Sequence, residues 1–237
     1  YGPRGRMVVT ALLLVLAALP FVADQFLLIL TIDILIFALF AASLHFILGS
    51  GGLVSFGHAA FFGGGAYAAG LLALGIGWFC SRLSGVYFAM LTLAFSQLVW
   101  SVAFQWRGLT RGDDGLINIW PAPWLNGPVT YYYFTLILAV GGILVLRQII
   151  HAPFGYALRA GRDSPRQAEA MGIDVKRVQL VAFAIAGVMA GLAGGIFVFA
   201  KGSVFPTELE IAKSFDALIV VFLGGVKTLA GGVVSAT

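Results

Sequence analysis

Long apolar stretches separated by short polar connections run along this chain and predict a bundle of transmembrane helices. A bilayer core about 30 Å thick requires roughly 20 consecutive apolar residues in a helix. Stretches near that length lie at about 7–23, 26–48, 53–79, 85–105, 131–150, 179–200 and 215–237. The pattern predicts an all-α, polytopic transmembrane helical bundle with about seven visible spans, organised as a single domain over residues 1–237.

The composition agrees with this pattern and excludes an ordinary soluble domain. Hydrophobic residues make up 60% of the 237 residues and charged residues only 10%, whereas soluble domains carry about 25% charged residues. The lone Cys80 excludes an intramolecular disulfide and a cysteine-based metal cluster. No metal or cofactor site is therefore predicted in this chain, and the net charge of +4 indicates membrane orientation rather than nucleic-acid binding.

The most polar connection, residues 151–178, is rich in basic side chains, which the positive-inside rule assigns to the cytoplasm. These are Arg159, Arg162, Arg166, Lys176 and Arg177. Proline at 153 punctuates the end of a span, and the following residues predict a short amphipathic helix. Asp163 or Ser164 before Pro165 predicts the start of a second short helix, which Gly172 is placed to end. Two short helices on the cytoplasmic face would form a docking platform, although a solvated loop that only fixes orientation would carry the same charges.

The predicted spans conflict with the predicted orientation. Arg4 and Arg6 place the N-terminus in the cytoplasm, but five crossings from there would leave residue 151 outside. Two explanations stay open: the stretch 53–79 folds as two shorter, broken pieces, or a span is absent between it and the next stretch.

Ser55 and His58 lie three residues apart in an uncharged, glycine-rich stretch, a spacing that puts two side chains on one face of a helix. An intramembrane serine protease would use Ser55 as nucleophile, but the sequence G-L-V-S-F-G lacks the nucleophile-elbow motif. The alternatives are a hydrogen-bonded packing role at helix interfaces and a role in lining a substrate path.

Asp33 and His45 are ionisable residues within one apolar stretch, which makes them functional candidates. They are twelve residues apart, or about 18 Å along a helix, so they cannot pair directly within it. A proton-coupled secondary transporter would use such groups as a relay. Otherwise each faces a helix interface or a water-filled cavity and has a local partner.

Two glycine-rich segments predict close helix packing, because small residues let helix backbones approach each other in lipid. The first comprises Gly63, Gly64 and Gly65, and the second is the G-x-x-x-G-x-x-x-G pattern of Gly187, Gly191 and Gly195. Tyr131 to Tyr133 fit an aromatic belt at the outer membrane surface.

Several long motifs in one order are similar to the LivM-type permease subunit of branched-chain amino acid ABC importers. They are S-F-G-H-A-A-F-F-G-G-G-A-Y at 55–67, G-V-Y-F-A-M-L-T-L-A-F at 85–95, F-G-Y-A-L-R-A-G-R-D-S-P-R-Q-A-E-A-M-G-I-D at 154–174, A-F-A-I-A-G-V-M-A-G-L-A-G at 182–194 and L-G-G-V-K-T-L-A-G-G at 223–232. Members of the family that this chain resembles typically have a further span between the first two of these motifs. The chain also begins without Met and stops inside a predicted span, so it resembles a fragment.

The resemblance implies a multi-pass subunit of the bacterial inner membrane that moves substrate by alternating access. Its implied partners are a homologous second permease, two cytoplasmic ATPase subunits that bind ATP and Mg, and a periplasmic substrate-binding protein. The segment 151–178 resembles the coupling loop that docks on the ATPase, which implies coupling roles for Arg159, Arg162, Ala168, Glu169 and Gly172. Related permeases for urea or another short amide share these motifs, so the substrate stays open.

Overall fold

A computed structural model describes residues 11, 13–21, 23–65, 86–105, 127–204 and 210–224, together with the single positions 76, 78, 80, 116, 117 and 125. Its helices are α1 (Gln25–His45), α2 (His58–Gly63), α3 (Val86–Gln105), α4 (Pro128–His151), α5 (Pro153–Asp163), α6 (Pro165–Ala170), α7 (Val175–Lys201) and α8 (Ile211–Gly224). Residues 13–18 are also helical and end in a tight turn at Leu19–Phe21. Two short strands, β1 (Leu116–Ile117) and β2 (Ser203–Val204), pair antiparallel.

Four helices in the described part of the chain are long and apolar enough to cross a membrane: α1 with its continuation to Ser50, α3, α4 and α7. They confirm the spans predicted at 26–48, 85–105, 131–150 and 179–200. α8 covers the first part of the span predicted at 215–237, while residues 1–10 and 225–237 lie outside the described residues. The chain is thus an all-α, multi-pass membrane protein.

α1 is the central helix of the bundle, which its sequence predicts, because a helix that is apolar on all faces is buried on all faces. From Ala38 to His45 every residue is buried. α4, α7 and α8 all pack against it, whereas Phe26 and Leu27, near its start, expose large apolar side chains that suit contact with lipid.

The stretch 53–79 does not fold as one continuous helix from its predicted start. Residues 52–57 are non-helical, and α2 has only six residues before Gly64 ends it. Gly65 has a φ of 67°, a left-handed conformation that favours glycine. Residues 66–75 lie outside the described residues.

The sidedness of the helices follows from contacts at their ends. Arg162 of α5 donates a hydrogen bond to the carbonyl oxygen of Gly49, and α5 follows directly after α4. α1 and α4 therefore both end on the side of α5, which the basic residues assign to the cytoplasm.

The opposite side contains the small β-pair, because β2 follows the end of α7. β1 lies there too, and the interval 106–115 is too short to cross a bilayer. α3 therefore ends on the outer side and begins on the cytoplasmic side. α1 ends and α3 begins on the same side, as two broken pieces between them would require, and that explanation of the conflict between predicted spans and orientation stays a prediction.

The three tyrosines at the start of α4 do not form the predicted aromatic belt. Tyr131 donates a hydrogen bond to the carbonyl oxygen of Ile196 on α7. The hydroxyl groups of Tyr132 and Tyr133 donate to the carbonyl oxygens of Leu16 at 2.8 Å and Ala17 at 3.0 Å. They join the first helical segment and α7 to α4, because a buried phenol hydroxyl requires a hydrogen-bond partner.

Candidate functional site

The end of α1 is distorted at the cytoplasmic side. Its last residues widen into a π-helical turn over Phe46–Ser50, a feature that often marks functional positions. Gly52 then has a φ of 66°, which reverses the chain at no steric cost because glycine lacks a Cβ atom. The non-helical residues 52–57 carry the chain back toward the middle of the bundle, where α2 begins.

His58, the first residue of α2, is fully buried and pairs with Ser43 of α1. Its Nε2 lies 2.9 Å from the Ser43 hydroxyl oxygen, which in turn donates to the carbonyl oxygen of Phe40 at 2.7 Å. Because the serine proton is used by Phe40, we assign the imidazole proton to Nε2. The ring also stacks on Phe40 and meets the edge of Phe61. This confirms the predicted polar partner across a helix interface.

Ser55 is also fully buried, but it precedes α2 and does not share a helical face with His58. Its hydroxyl oxygen has no hydrogen-bond partner among the described residues. The pairing of nucleophile and base that a serine protease requires is therefore not formed between these two residues. Ser55 and the Nδ1 atom of His58 instead leave two buried polar atoms unpaired in the described part of the chain.

A serine from a distant helix caps the start of α2. The Ser214 hydroxyl oxygen of α8 accepts a hydrogen bond from the backbone N–H of Ala59 at 2.8 Å. That N–H group belongs to the first turn of α2, where helical partners are lacking. α8 thereby fixes the position at which α2 begins.

We expect Ser214→Ala to lower the free energy of unfolding by about 1–3 kcal/mol, because it leaves a buried N–H group without an acceptor. Thermal unfolding of the purified chain in detergent measures the change. The matched control is Ser101→Ala, since that partly exposed hydroxyl accepts from Gln105 on the same helix and its loss should cost little. Equal stability of the two variants would show that the cap contributes nothing.

Glycines bring the backbones near α2 into close contact. A methyl group at Gly57 would overlap the carbonyl group of Thr92 on α3, and one at Gly194 would overlap the carbonyl group of Phe62 on α2. Gly187 and Gly191 are buried on α7 as predicted, but Gly195 is only half-buried, and it is the neighbouring Gly194 that makes the close contact.

The glycines at 63–65 have a different position from the predicted one. They end α2, and a methyl group at Gly65 would have no atom within 4 Å. Their role in the described structure is to terminate a helix rather than to let one helix approach another.

Asp33 and His45 are not brought together. The Asp33 carboxylate is bound by the Lys201 ammonium at the end of α7, with Nζ and Oδ2 2.6 Å apart. His45 is buried further along α1, toward the cytoplasmic side. Sequence reasoning missed Lys201, because a lysine at the end of a span also fits a simple topological role.

The cytoplasmic segment forms the two predicted helices, α5 and α6. Leu158 and Ala168 are buried and hold them against the bundle. At the end of α6 the N–H groups of Gly172 and Ile173 donate to the carbonyl oxygens of Glu169 and Ala168 at 2.9 and 3.0 Å, a Schellman motif. Gly172 has a φ of 85°, so its predicted place at the helix end is confirmed and has a conformational reason.

Two arginines of α5 bind the ends of the membrane helices. Arg159 donates to the carbonyl oxygen of Ile150 at the end of α4, at 3.1 Å. Arg162 donates to Gly49, and its methylene groups cover the bare Cα of Gly52. Both carbonyls belong to helix ends, whose last carbonyl groups lack helical partners. The sequence indicated positive charge here, but it could not show that the charge attaches α5 to α1 and α4.

The outer face of α6 is exposed. Arg166, Gln167, Glu169 and Ala170 all present their side chains away from the bundle, and Met171 beside them is 70% exposed. Methionine is enriched in protein–protein interfaces, where a polar rim surrounds the apolar centre, so this face suits a protein contact.

The chain is similar to known permease proteins of transport systems. The family model for the permease component of the branched-chain amino acid transport system matches residues 68–237. The high-affinity branched-chain amino acid transport system permease protein LivM of Escherichia coli (strain K12) is 26% identical over 94% of this chain and 64% of its own length. No solved structure matches the chain.

Two further relatives each match a little less than half of the chain. A probable branched-chain amino acid transport permease protein LivH of Methanocaldococcus jannaschii is 36% identical over 43% of this chain and 31% of its own length. The autoinducer 2 import system permease protein LsrC of Photorhabdus laumondii is 33% identical over 46% of this chain and 31% of its own length.

The match to LivM extends over 276 residues, which is longer than the whole 237-residue chain. Residues without a counterpart in this chain therefore lie within the matched region. Their location between the motifs ending at Tyr67 and starting at Gly85 stays a prediction.

Proposed function

The chain belongs to the family of permease components of branched-chain amino acid transport systems, and we propose that it is the membrane subunit of an ATP-driven importer in the bacterial inner membrane. In this proposal it forms half of a translocation path with a homologous permease. Branched-chain amino acids are the proposed substrate, and alternating access moves them without covalent chemistry. The chain itself binds no cofactor, because ATP and Mg belong to the partner ATPase subunits.

The α5–α6 segment is attached to the membrane helices, and this attachment is the main support for the proposal. α5 follows α4 after one residue, and α6 is joined to α7 through the Schellman turn at Gly172 and the capping residue Asp174. Arg162 adds a contact to the end of α1. A rigid displacement of this segment would therefore move three membrane helices together, as hinge and shear transitions require.

The exposed face of α6 is the proposed ATPase contact. Glu169 and Arg166 project from it, while Ala168 beneath them is buried against the bundle. Charges of both signs on this face would orient a docking partner. The exposed methionine beside them would supply apolar contact area. A periplasmic binding protein would deliver substrate to the opposite side of the membrane.

We expect Glu169→Lys to reduce recovery of an ATPase subunit with the chain at least tenfold, because a reversed charge at a contact opposes association. The measurement is co-purification from membranes in which the chain is produced with the ATPase encoded at its own locus. Arg166→Glu should have the same effect.

The matched control is Glu210→Lys, the same charge reversal at an exposed position just before α8, away from the α5–α6 segment. This variant should recover the ATPase as the wild type does. Equal recovery with Glu169→Lys, Arg166→Glu and Glu210→Lys would contradict docking on α6.

A further inference from the structure

An ion pair lies at the outer ends of the central helices, on the side opposite the α5–α6 segment. Asp33 is eight residues into α1, or about 12 Å along the helix, and Lys201 is the last residue of α7. Their side chains are 34% and 39% exposed, and Nζ lies 2.6 Å from Oδ2. Both side chains are therefore partly exposed although the pair lies within the membrane-spanning bundle.

The pair has unused hydrogen-bonding capacity. The second carboxylate oxygen of Asp33, Oδ1, is buried and has no partner among the described residues. Lys201 has three N–H donors, of which one is directed to Asp33, and its ammonium lies 5.8 Å from the ring centre of Phe197. An unpaired buried carboxylate oxygen is costly and requires an explanation.

A cavity of about 240 Å³ surrounds the pair. It lies between the starts of α1 and α4 and the end of α7, and both members of the pair line it. Its other walls are largely apolar and include Ile29, Ile32, Leu125 and Phe199. Sites for drug-sized ligands have about 300–1,000 Å³, so this cavity suits a smaller molecule.

We infer that this cavity is a reception site for a small zwitterion with an apolar side chain, which is the chemistry of an aliphatic α-amino acid. The ligand's ammonium group binds the Asp33 carboxylate, its carboxylate binds the Lys201 ammonium, and its side chain packs on the apolar walls. This inference rests on the proposed function and adds the site on this chain, between Asp33 and Lys201, that receives the substrate.

Electrostatics favour this ligand over an ion of either sign. Separating Asp33 from Lys201 in a partly apolar setting leaves two charges uncompensated, which is expensive. A zwitterion compensates both when it inserts between them, and the cavity stays neutral throughout. A lone cation or anion would compensate one residue and leave the other with an unpaired charge.

The test compares four probes on the wild-type chain in lipid nanodiscs, with the subunits that co-purify with it and without ATP. Leucine has both charges and an aliphatic side chain, isoamylamine lacks the carboxylate, 4-methylpentanoate lacks the ammonium, and glycine lacks the side chain. Calorimetric titration measures each affinity. We expect leucine to bind at least tenfold more tightly than any of the other three.

Variants assign the binding to the ion pair. We expect Asp33→Asn and Lys201→Met each to weaken leucine binding at least tenfold. The matched controls are Asp174→Asn, which alters another ion pair at the cytoplasmic side, and Lys176→Met, which removes an exposed cytoplasmic lysine. Both controls should bind leucine within twofold of the wild type.

The inference is overturned if leucine binds no more tightly than the singly charged analogues, a result that requires no variant to fold. It is also overturned if Asp33→Asn and Lys201→Met bind leucine as the controls do, because the pair would then only join α1 to α7. Neither readout depends on an ATPase, so ATPase recovery without leucine binding rejects this site alone. Leucine binding without ATPase recovery rejects the coupling proposal alone.

Discussion

Replacing Gly194 with alanine is expected to destabilise the bundle strongly, by about 1–3 kcal/mol or more. A methyl group at this position would overlap the carbonyl group of Phe62, which belongs to the backbone of α2. Since a backbone cannot rotate aside as a side chain can, α7 and α2 would have to separate. Neighbouring ring contacts, including that of Phe62 with Phe197, would separate with them.

Denaturant unfolding in detergent micelles measures this loss, and Gly141→Ala is its matched control. Gly141 lies within α4, and a methyl group there would meet no atom within 4 Å. Alanine is favoured over glycine in a helix by about 1 kcal/mol, so the control should be neutral or slightly more stable. If Gly194→Ala were as stable as Gly141→Ala, that result would contradict the close contact between the backbones of α2 and α7.

Arg162→Ala is expected to reduce substrate uptake at least tenfold while leaving ATPase docking intact. The arginine provides a polar contact between α5 and the end of α1, beside the packing of Leu158 near Gly51, because it donates to Gly49 and covers Gly52. Its loss removes that contact but leaves the exposed face of α6 unchanged. Movement of the docked ATPase would then reach α4 and α7 without displacing the end of α1.

The measurement pairs uptake with ATPase recovery in the same membranes. Arg177→Ala is the matched control, since its side chain is 86% exposed and pairs only locally with Asp174 among the described residues. This control should keep both uptake and docking. A wild-type uptake rate in Arg162→Ala would contradict a coupling role, and joint loss of uptake and ATPase would indicate a docking role instead.

Much of the fold could be predicted from the sequence because the signals are local. Apolar length specifies α1, α3, α4 and α7, while Pro153, Pro165 and Gly172 delimit α5 and α6. These features depend on neighbours within a few residues, where helix propensity and capping act. The sequence indicated the break after α1 only indirectly, because the number of predicted spans disagreed with the predicted orientation. A run of glycine and aromatic residues by itself also fits a single span.

The candidate site could be predicted only in part, because its contacts join residues far apart in the chain. His58 stood out as an ionisable residue, but Ser43 did not, since a serine within an apolar helix has many uses. The hydroxyl cap from Ser214 and the ion pair of Lys201 with Asp33 likewise depend on how α7 and α8 pack against α1 and α2. No local periodicity encodes those partners.

In the proposed mechanism, ATP hydrolysed by a docked partner drives uptake through this chain. The most direct test is leucine uptake by cells that produce the chain with the ATPase, second permease and binding protein of its own locus, with ATP and the proton gradient varied separately. We expect uptake to persist when a protonophore removes the gradient at constant ATP, and to stop when ATP is depleted with the gradient maintained. Uptake that follows the proton gradient and continues without ATP would contradict the claim and favour a secondary transporter.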